Sequence, residues 1–250
     1  MLFNIMIYTL KQFNTSKVHN KLILVTLLIV STPFLILSKL AQNNFIITQD
    51  TNLTELMLVS MALPYQYYLP ITAAFFYILN DIFWGLDEKH IYFFNSRKRW
   101  IINKVISSIF ISFTYVTLVY IFISLIFYFK LKLAINTDFI IYSIISIILG
   151  SLVYIIYSLF CILVYLLFRN KKSIYISIVY ISILSLIVAG TFSDVWHLPN
   201  NLILYNFANI NNLMIINKDF ISAMFLLTTI LFILTECICK VVKYKNLHRL

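Results

Sequence analysis

The chain has 250 residues, of which 62% are hydrophobic and 11% are charged, and its formal net charge is +10. Soluble domains are about half apolar and about a quarter charged, so this composition excludes a soluble globular protein. With 3 Gly and 4 Pro, the sequence also excludes a Gly-rich phosphate-binding loop and a long disordered linker. Long blocks of Leu, Ile, Val and Phe predict an all-α integral membrane protein instead.

The amino-terminal segment 1–20 predicts an amphipathic helix in the membrane interface. Its apolar residues recur at three- and four-residue spacing, and they are Phe3, Met6, Leu10 and Phe13. A helix of this kind lies along the inner interface with its apolar side in the lipid. The alternative interpretation is a frayed tail.

Six apolar blocks are long enough to cross a membrane, because a helix needs about 20 residues to span roughly 30 Å of hydrocarbon. The predicted spans are 22–37, 56–79, 105–129, 139–168, 173–192 and 220–238. The fourth span is the longest, so it has to tilt, bend or project beyond the bilayer. Gly150 lies within it and is a candidate bend point.

The basic residues orient these spans. All 19 Lys and Arg lie outside the six predicted spans, and fifteen of them fall on one side of the membrane. That side carries the amino-terminal arm, the loops after the second and fourth spans, and the carboxyl-terminal tail. Because cytoplasmic segments are enriched in Lys and Arg, we predict a multi-pass protein with both termini in the cytoplasm. This topology also accounts for the net positive charge without nucleic acid.

The predicted spans offer no chemistry for catalysis or metal binding. Spans one, three, four and five contain no Asp, Glu, Lys, Arg or His, and the four His lie outside all spans without metal-ligand spacing. Glu236 is the single acid in the sixth span, where an i, i+4 pair with Lys240 is the simplest explanation. The sequence therefore predicts no catalytic, metal or cofactor site on this chain, and it disfavours a proton- or sodium-coupled carrier.

The cytoplasmic segment 80–100 is unusual for a loop that only reverses the chain. It combines acidic, basic and large aromatic residues, a composition that suits a protein–protein contact. The candidate contact residues are Asp87, Glu88, Lys89, Phe93 and Arg97. We expect a short helix parallel to the membrane, and the alternative is a solvated basic loop with aromatic residues anchored in the headgroups.

The second span carries a polar segment at 63–70. Tyr65, Gln66 and Tyr68 lie there between two prolines that loosen the helix and free backbone carbonyls. Tyr is more common at membrane interfaces than at depth, so the segment is a candidate lining of a substrate pathway. The alternative is helix packing, with the span shifted toward the outer interface.

The fourth span carries a matching row of hydroxyl groups. Tyr154, Tyr157, Cys161 and Tyr165 share one helical face by their spacing. Tyr154 and Tyr157 are the candidate facing wall of the substrate pathway, and the alternative is a buried packing seam. An apolar cavity with scattered hydroxyls favours amphipathic or lipid-like cargo.

Taken together, the interfacial first helix, the six spans, the cytoplasmic termini and the charged segment 80–100 resemble the permease subunit of ABC-2 type (type V) exporters. Three features of that segment match the family's pattern, namely the Asp87-Glu88 pair, the apolar run 91–94 and Ser96-Arg97, and Lys104 matches the basic residue that opens the third span. The family's Gly-Thr step and its Pro before Ser-Arg are missing. The architectural resemblance covers nearly the whole chain, and its small, Gly-poor form is most similar to peptide-toxin exporters of Gram-positive bacteria.

The resemblance implies a function and a set of partners. In the family, 80–100 is the coupling helix that docks on a separate ABC ATPase, so ATP and Mg²⁺ are expected on that subunit and no cofactor on this chain. It also implies a second permease, identical or homologous, a partly re-entrant cap at 193–219, a bacterial plasma membrane, and amphipathic peptides as cargo. A plain extracellular loop at 193–219 is the alternative there. For the whole chain, the alternative function is a membrane-embedded peptide-binding immunity or scaffold protein without transport.

Overall fold

The computed structural model describes residues 18–42, 56, 69–83, 97–132, 137–168, 175–177, 179–181 and 218–244, and apart from Lys132 all of these residues are helical. Five helices make up this part of the chain: α1 Val18–Gln42, α2 Leu69–Phe83, α3 Arg97–Leu131, α4 Thr137–Phe168 and α5 Lys218–Tyr244. The described residues therefore form an all-helical protein, as the apolar blocks predict.

Three of these helices are long and apolar enough to cross a membrane. Their apolar stretches are Trp100–Leu131, Phe139–Phe168 and Met224–Val242, which correspond to the predicted third, fourth and sixth spans. Two shorter apolar stretches, Thr26–Ser38 and Pro70–Leu79, lie within the predicted first and second spans. The count of six spans stays a prediction, since most of 57–68 and 173–192 lies outside the described residues.

Two helices are longer than the bilayer is thick. At 1.5 Å per residue, α3 with its 35 residues is about 52 Å long and α4 with its 32 residues is about 48 Å long. Helices of this length have to tilt or extend into the headgroups. Lys132 caps the carboxyl end of α3. Its backbone is left-handed (φ 53°), and its N–H donates to the Tyr128 carbonyl at 2.8 Å.

α4 packs against α3 and against α5. α1 packs on α2, and α3 also contacts α1, α2 and α5. Serines are buried between the helices, and several satisfy their hydroxyls within their own helix: Ser151 donates to the Ile147 carbonyl at 2.6 Å and Ser158 to the Ile155 carbonyl at 2.8 Å. Small residues of this kind let helix backbones approach closely, and close packing is what holds membrane helices together.

Gly150 marks one of these close approaches. The helix continues without interruption through Gly150, and a Cβ added there would lie 3.1 Å from Val116 Cγ1 of α3. Non-bonded carbon atoms are ordinarily roughly 3.5–4.0 Å apart. The two helices can therefore lie this close only because residue 150 has no side chain. The structure thus gives Gly150 a packing role between α3 and α4.

We expect Gly150→Val to destabilise the protein by about 1–3 kcal/mol, because its extra methyl groups overlap the Val116 side chain. The measurement is the midpoint of thermal unfolding in detergent. Gly150→Ala is the matched control with a smaller effect, and Val116→Ala is expected to restore part of the loss in the double variant. An unchanged midpoint for Gly150→Val would show that the two helices do not touch here.

Several predicted regions lie outside the described residues. These are 1–17 of the predicted interfacial helix, 84–96 of the predicted coupling segment and 193–217 of the predicted cap. The helices that flank the coupling segment are described: α2 continues to Phe83 and α3 begins at Arg97.

Candidate functional site: an aromatic seam between three helices

The buried face of α2 is built from residues at three- and four-residue spacing. Thr72, Phe75, Phe76 and Leu79 are each at most 3% exposed. This spacing puts all four side chains on one face of the helix, which is turned toward the rest of the bundle. The face begins just after the predicted polar segment 63–70, so it is the described part of the second span closest to that segment.

Five aromatic side chains from three helices meet at this face. We call this group the aromatic seam, and it consists of Phe75 and Phe76 from α2, Tyr115 from α3, and Tyr154 and Tyr157 from α4. The Phe75 ring lies at the centre, with its centroid 4.6 Å from that of Tyr154 and 5.2 Å from that of Tyr115. Phe76 stacks on Tyr157 at 6.1 Å, and Tyr154 contacts both Tyr115 at 5.7 Å and Tyr157 at 5.8 Å. Aromatic pairs at these distances attract each other beyond their buried area.

Two tyrosine hydroxyls of the seam reach α2. The Tyr115 hydroxyl donates to the Ile71 carbonyl at 2.6 Å in a buried site. The Tyr154 hydroxyl lies 3.4 Å from Thr72 Oγ1, and either group can donate. A buried tyrosine needs a partner for its hydroxyl, so these contacts fix how α3 and α4 sit against α2.

The α4 residues in and beside the predicted row contact two different parts of the chain, α2 and Tyr180. Tyr154 and Tyr157 are half-buried and face α2, as the seam contacts show. One turn further, the Phe160 ring stacks on Tyr180 at 5.7 Å with an angle of 18° between the rings. Cys161, in the same turn, is fully buried. The rings of Tyr154 and Tyr157 therefore belong to the junction with α2.

The structure brings together two of the predicted site residues. Tyr154 and Tyr157 are neighbours in the seam, in agreement with their predicted shared face. The predicted facing residues Tyr65, Gln66 and Tyr68 lie outside the described residues. So do four of the predicted coupling residues, which are Asp87, Glu88, Lys89 and Phe93; Arg97 is the first residue of α3, and its side chain is outside as well.

Sequence analysis missed the other members of the seam. Phe75 and Phe76 are ordinary apolar residues of a span, and only their buried spacing with Thr72 on α2 distinguishes them. Tyr115 shares its face of α3 with Ser112 and Ser108, three and seven residues earlier, and sequence analysis did not use this spacing. The signal available was the depth of Tyr115 in its span, since a tyrosine away from the interfaces needs a partner for its hydroxyl.

The seam combines apolar ring surface with a few hydroxyl groups. Phe75, Phe76 and Tyr115 are buried, so a bound peptide can contact only the half-buried Tyr154 and Tyr157, through their rings and hydroxyls. Within the described ranges, no group of three or more His, Cys, Asp or Glu side chains could hold a metal ion. The described cysteines, Cys161, Cys237 and Cys239, are all free thiols.

Comparison with protein-family models, with curated proteins and with solved structures finds no match to this chain. The resemblance to ABC-2 permeases therefore rests on the sequence features given above.

Proposed function

We propose that this chain is the permease subunit of an ATP-driven exporter, which moves amphipathic peptides such as cytolytic toxins out of a bacterial cell. ATP is hydrolysed on a separate ABC ATPase, and a second permease completes the pathway. The observation that carries the proposal is the aromatic seam. It places Tyr154 and Tyr157, two residues predicted to line the pathway, against the span that holds the other predicted lining residues.

The position of the predicted coupling segment supports a mechanism. The segment joins α2, which ends at Phe83, to α3, which begins at Arg97. These are two of the three helices that build the seam. The third is α4, whose Tyr154 contacts both of them. A push on the segment by closing ATPases is therefore transmitted to both α2 and α3. It would shift Phe75 and Tyr115 relative to Tyr154 and so alter the surface offered to a peptide.

Purification of the full chain in mild detergent, followed by mass spectrometry of the proteins that accompany it, tests the transporter class. We expect a stoichiometric ATPase with a Walker motif. If the permease dimer stays intact and no ATPase accompanies it, the proposal of an exporter is wrong. The peptide-binding immunity or scaffold protein then takes its place.

Peptide binding tests the seam itself. We expect Tyr154→Phe to weaken the binding of a synthetic Leu–Lys amphipathic peptide by about threefold to tenfold, because one hydrogen bond contributes about 0.5–1.5 kcal/mol. The phenyl ring keeps the packing on Phe75. Binding is measured by fluorescence anisotropy of the labelled peptide with the protein in nanodiscs.

Tyr128→Phe is the matched control, since Tyr128 is an exposed tyrosine near the far end of α3. Its peptide affinity is expected to equal that of the unmodified chain. Equal affinities for all three proteins would remove the Tyr154 hydroxyl from the pathway and leave the seam as a packing feature only.

A further inference from the structure

The outward side of α5 carries a row of exposed residues that neither the seam nor the proposed transport step uses. In the apolar stretch Met224–Val242 only three residues are buried, whereas α3 and α4 bury much larger shares of their own apolar stretches. α5 packs against α4 and also contacts α3. Its exposed residues recur at three- and four-residue spacing, so they share one face of the helix. We call this the outer face of α5, and it consists of Phe225, Thr228, Thr229, Phe232, Ile233, Glu236, Cys239 and Lys240.

The composition of the outer face distinguishes α5 from the other two long helices. The exposed residues described in α3 between positions 101 and 127, and in α4 between 139 and 168, are all Ile, Leu or Phe. Faces of this kind suit lipid, because hydrocarbon chains offer no partner to a polar group. The outer face of α5 instead includes two threonines, an acid and a base within an apolar stretch long enough to span the membrane. Lipid is therefore a poor cover for this face, and protein is a better one.

Glu236 is the residue of the outer face that most needs a partner. It lies six residues before Val242, the last residue of the apolar stretch, and so about 9 Å from that end. Lys240 follows one helical turn later, but neither side chain forms an ion pair or a hydrogen bond with any residue that the structure describes. The pair expected within the helix is therefore not formed. Acids within membrane-spanning helices almost always pair with another group, so Glu236 needs a base from outside its own helix.

A second copy of this chain supplies that base. The distribution of Lys and Arg that orients one copy orients the other in the same way, so the α5 helices of two copies run parallel. A two-fold axis along the membrane normal brings the same face of both helices together, and residues at equal depth or one turn apart then meet. Glu236 of each copy lies beside the partner's Lys240, and the symmetry gives two such pairs. The outer face is thus complementary to itself in charge.

The threonines of the outer face allow two helices to approach closely. The Thr228 and Thr229 hydroxyls donate to the Phe225 carbonyl at 3.0 and 2.7 Å, so they need no partner across an interface. Short side chains with satisfied hydroxyls are common where membrane helices touch. The rings of Phe225 and Phe232, which are 73% and 67% exposed, supply apolar contact area on the same face.

We propose that two copies of this chain pair through the outer face of α5, with Glu236 of each copy bonded to the partner's Lys240. The inference rests on the proposed function for its role in transport, since it names the surface that joins the second permease. As a statement about pairing, it holds equally for a protein without an ATPase.

A native cysteine reports on this contact. Cys239 is exposed on the outer face, whereas Cys237 is half-buried and Cys161 is fully buried. The full chain in liposomes, at a low protein-to-lipid ratio, is treated with a short bismaleimide, and the products are separated by denaturing gel electrophoresis. We expect a cross-linked dimer. Cys239→Ser is expected to abolish it, and Cys237→Ser is the matched control that keeps it.

Exchange of the charges tests the pairing itself. Glu236→Lys leaves two bases on the face and Lys240→Glu leaves two acids, so like charges oppose each other across the axis. We expect each variant alone to lower the yield of the cross-linked dimer by about tenfold or more. When the two variants are co-expressed with different tags, each acid again meets a base, so the mixed dimer is expected to regain the yield of the unmodified chain. If Glu236→Lys fails to insert, Glu236→Gln takes its place, with an expected loss of about threefold.

Three outcomes would overturn the proposal. The first is no cross-link through Cys239 between copies, which would leave the face to lipid or to a different protein. The second is an equal dimer yield from the unmodified chain and from both charge variants, which would mean that the copies meet without the proposed ion pairs. The third is a mixed dimer that is as scarce as the dimers of the single variants.

These results are separable from the test of the exporter. A chain that purifies with a second copy and an ATPase, but whose Cys239 is not cross-linked, keeps the proposed function and pairs through another surface. A chain whose Cys239 is cross-linked, but which purifies without an ATPase, keeps the interface and is not an exporter.

Discussion

Replacement of Phe75 by alanine is expected to destabilise the protein by about 3–5 kcal/mol, the range for a buried phenylalanine that leaves a cavity. Phe75 is fully buried, and its ring contacts Phe76, Tyr115 and Tyr154. Its loss therefore affects the junction of α2, α3 and α4 at once. In a chain of this size the midpoint of thermal unfolding should fall by roughly 10 °C, which is measured in detergent by circular dichroism.

Phe225→Ala is the matched control for this change. Phe225 is 73% exposed on α5, so its removal opens no cavity within the chain. Its unfolding midpoint is expected to shift by no more than about 2 °C, which corresponds to roughly 0.5 kcal/mol. If the two variants lose the same stability, the seam does not hold the three helices together, and the packing of α2 against α3 and α4 would have to be different.

We expect that replacing Asp87, Glu88 and Arg97 together by alanine reduces the amount of ATPase retained in purification by about tenfold or more. A tenfold loss equals about 1.4 kcal/mol of binding free energy. These are three of the seven charged residues of the predicted coupling segment, and charged groups that meet a complementary partner are sensitive to removal. The retained ATPase is quantified by mass spectrometry against the permease. Insertion of the variant in the membrane should be normal.

The control is an equivalent triple variant on the opposite side of the membrane. Lys39, Asp50 and Glu55 lie in the loop between the first two predicted spans, so their replacement removes the same number of acids and bases from the predicted outer surface. ATPase retention is expected to be unchanged. Equal losses in the two triple variants, or none in either, would remove the coupling role from 80–100.

The two experiments address separate claims. Phe75→Ala tests whether the seam is a structural junction, and the triple variant tests whether a partner docks on 80–100. A chain that is destabilised by the first change but still retains the ATPase after the second has a packed junction at the seam and an ATPase that docks elsewhere than on 80–100.

The sequence by itself determined where the long helices run. The predicted fourth span, 139–168, has the same bounds as the apolar stretch Phe139–Phe168, and the predicted third span lies within Trp100–Leu131. The reason is physical, since the hydrocarbon layer requires an uninterrupted apolar helix of a certain length, and that length can be counted in the sequence. Hydropathy does not give the helix ends, because α3 already begins at the charged residues Arg97–Arg99, before its apolar stretch starts at Trp100.

The sequence also identified part of the candidate site. Tyr154 and Tyr157 stand out because hydroxyl groups inside an apolar span need partners, and their spacing places them on one face. The residues that they contact in the folded protein could not be predicted from the sequence in the same way. Thr72 and Tyr154 meet although 82 residues separate them along the chain, and the hydroxyl of Tyr115 finds a carbonyl 44 residues away.

Only the tertiary structure decided which side of each helix faces protein and which faces outward. Phe75 is fully buried and Phe225 is 73% exposed, yet both are phenylalanines in apolar helices. In water the hydrophobic effect separates such positions, so a helix shows its buried face by its pattern. In a membrane the lipid is as apolar as a helix interface, and the choice depends instead on close packing and hydrogen bonds between residues that are distant in the sequence. That is why the burial of polar residues on α3, such as Asn103, Lys104 and Ser107, became visible only once the helices were packed together.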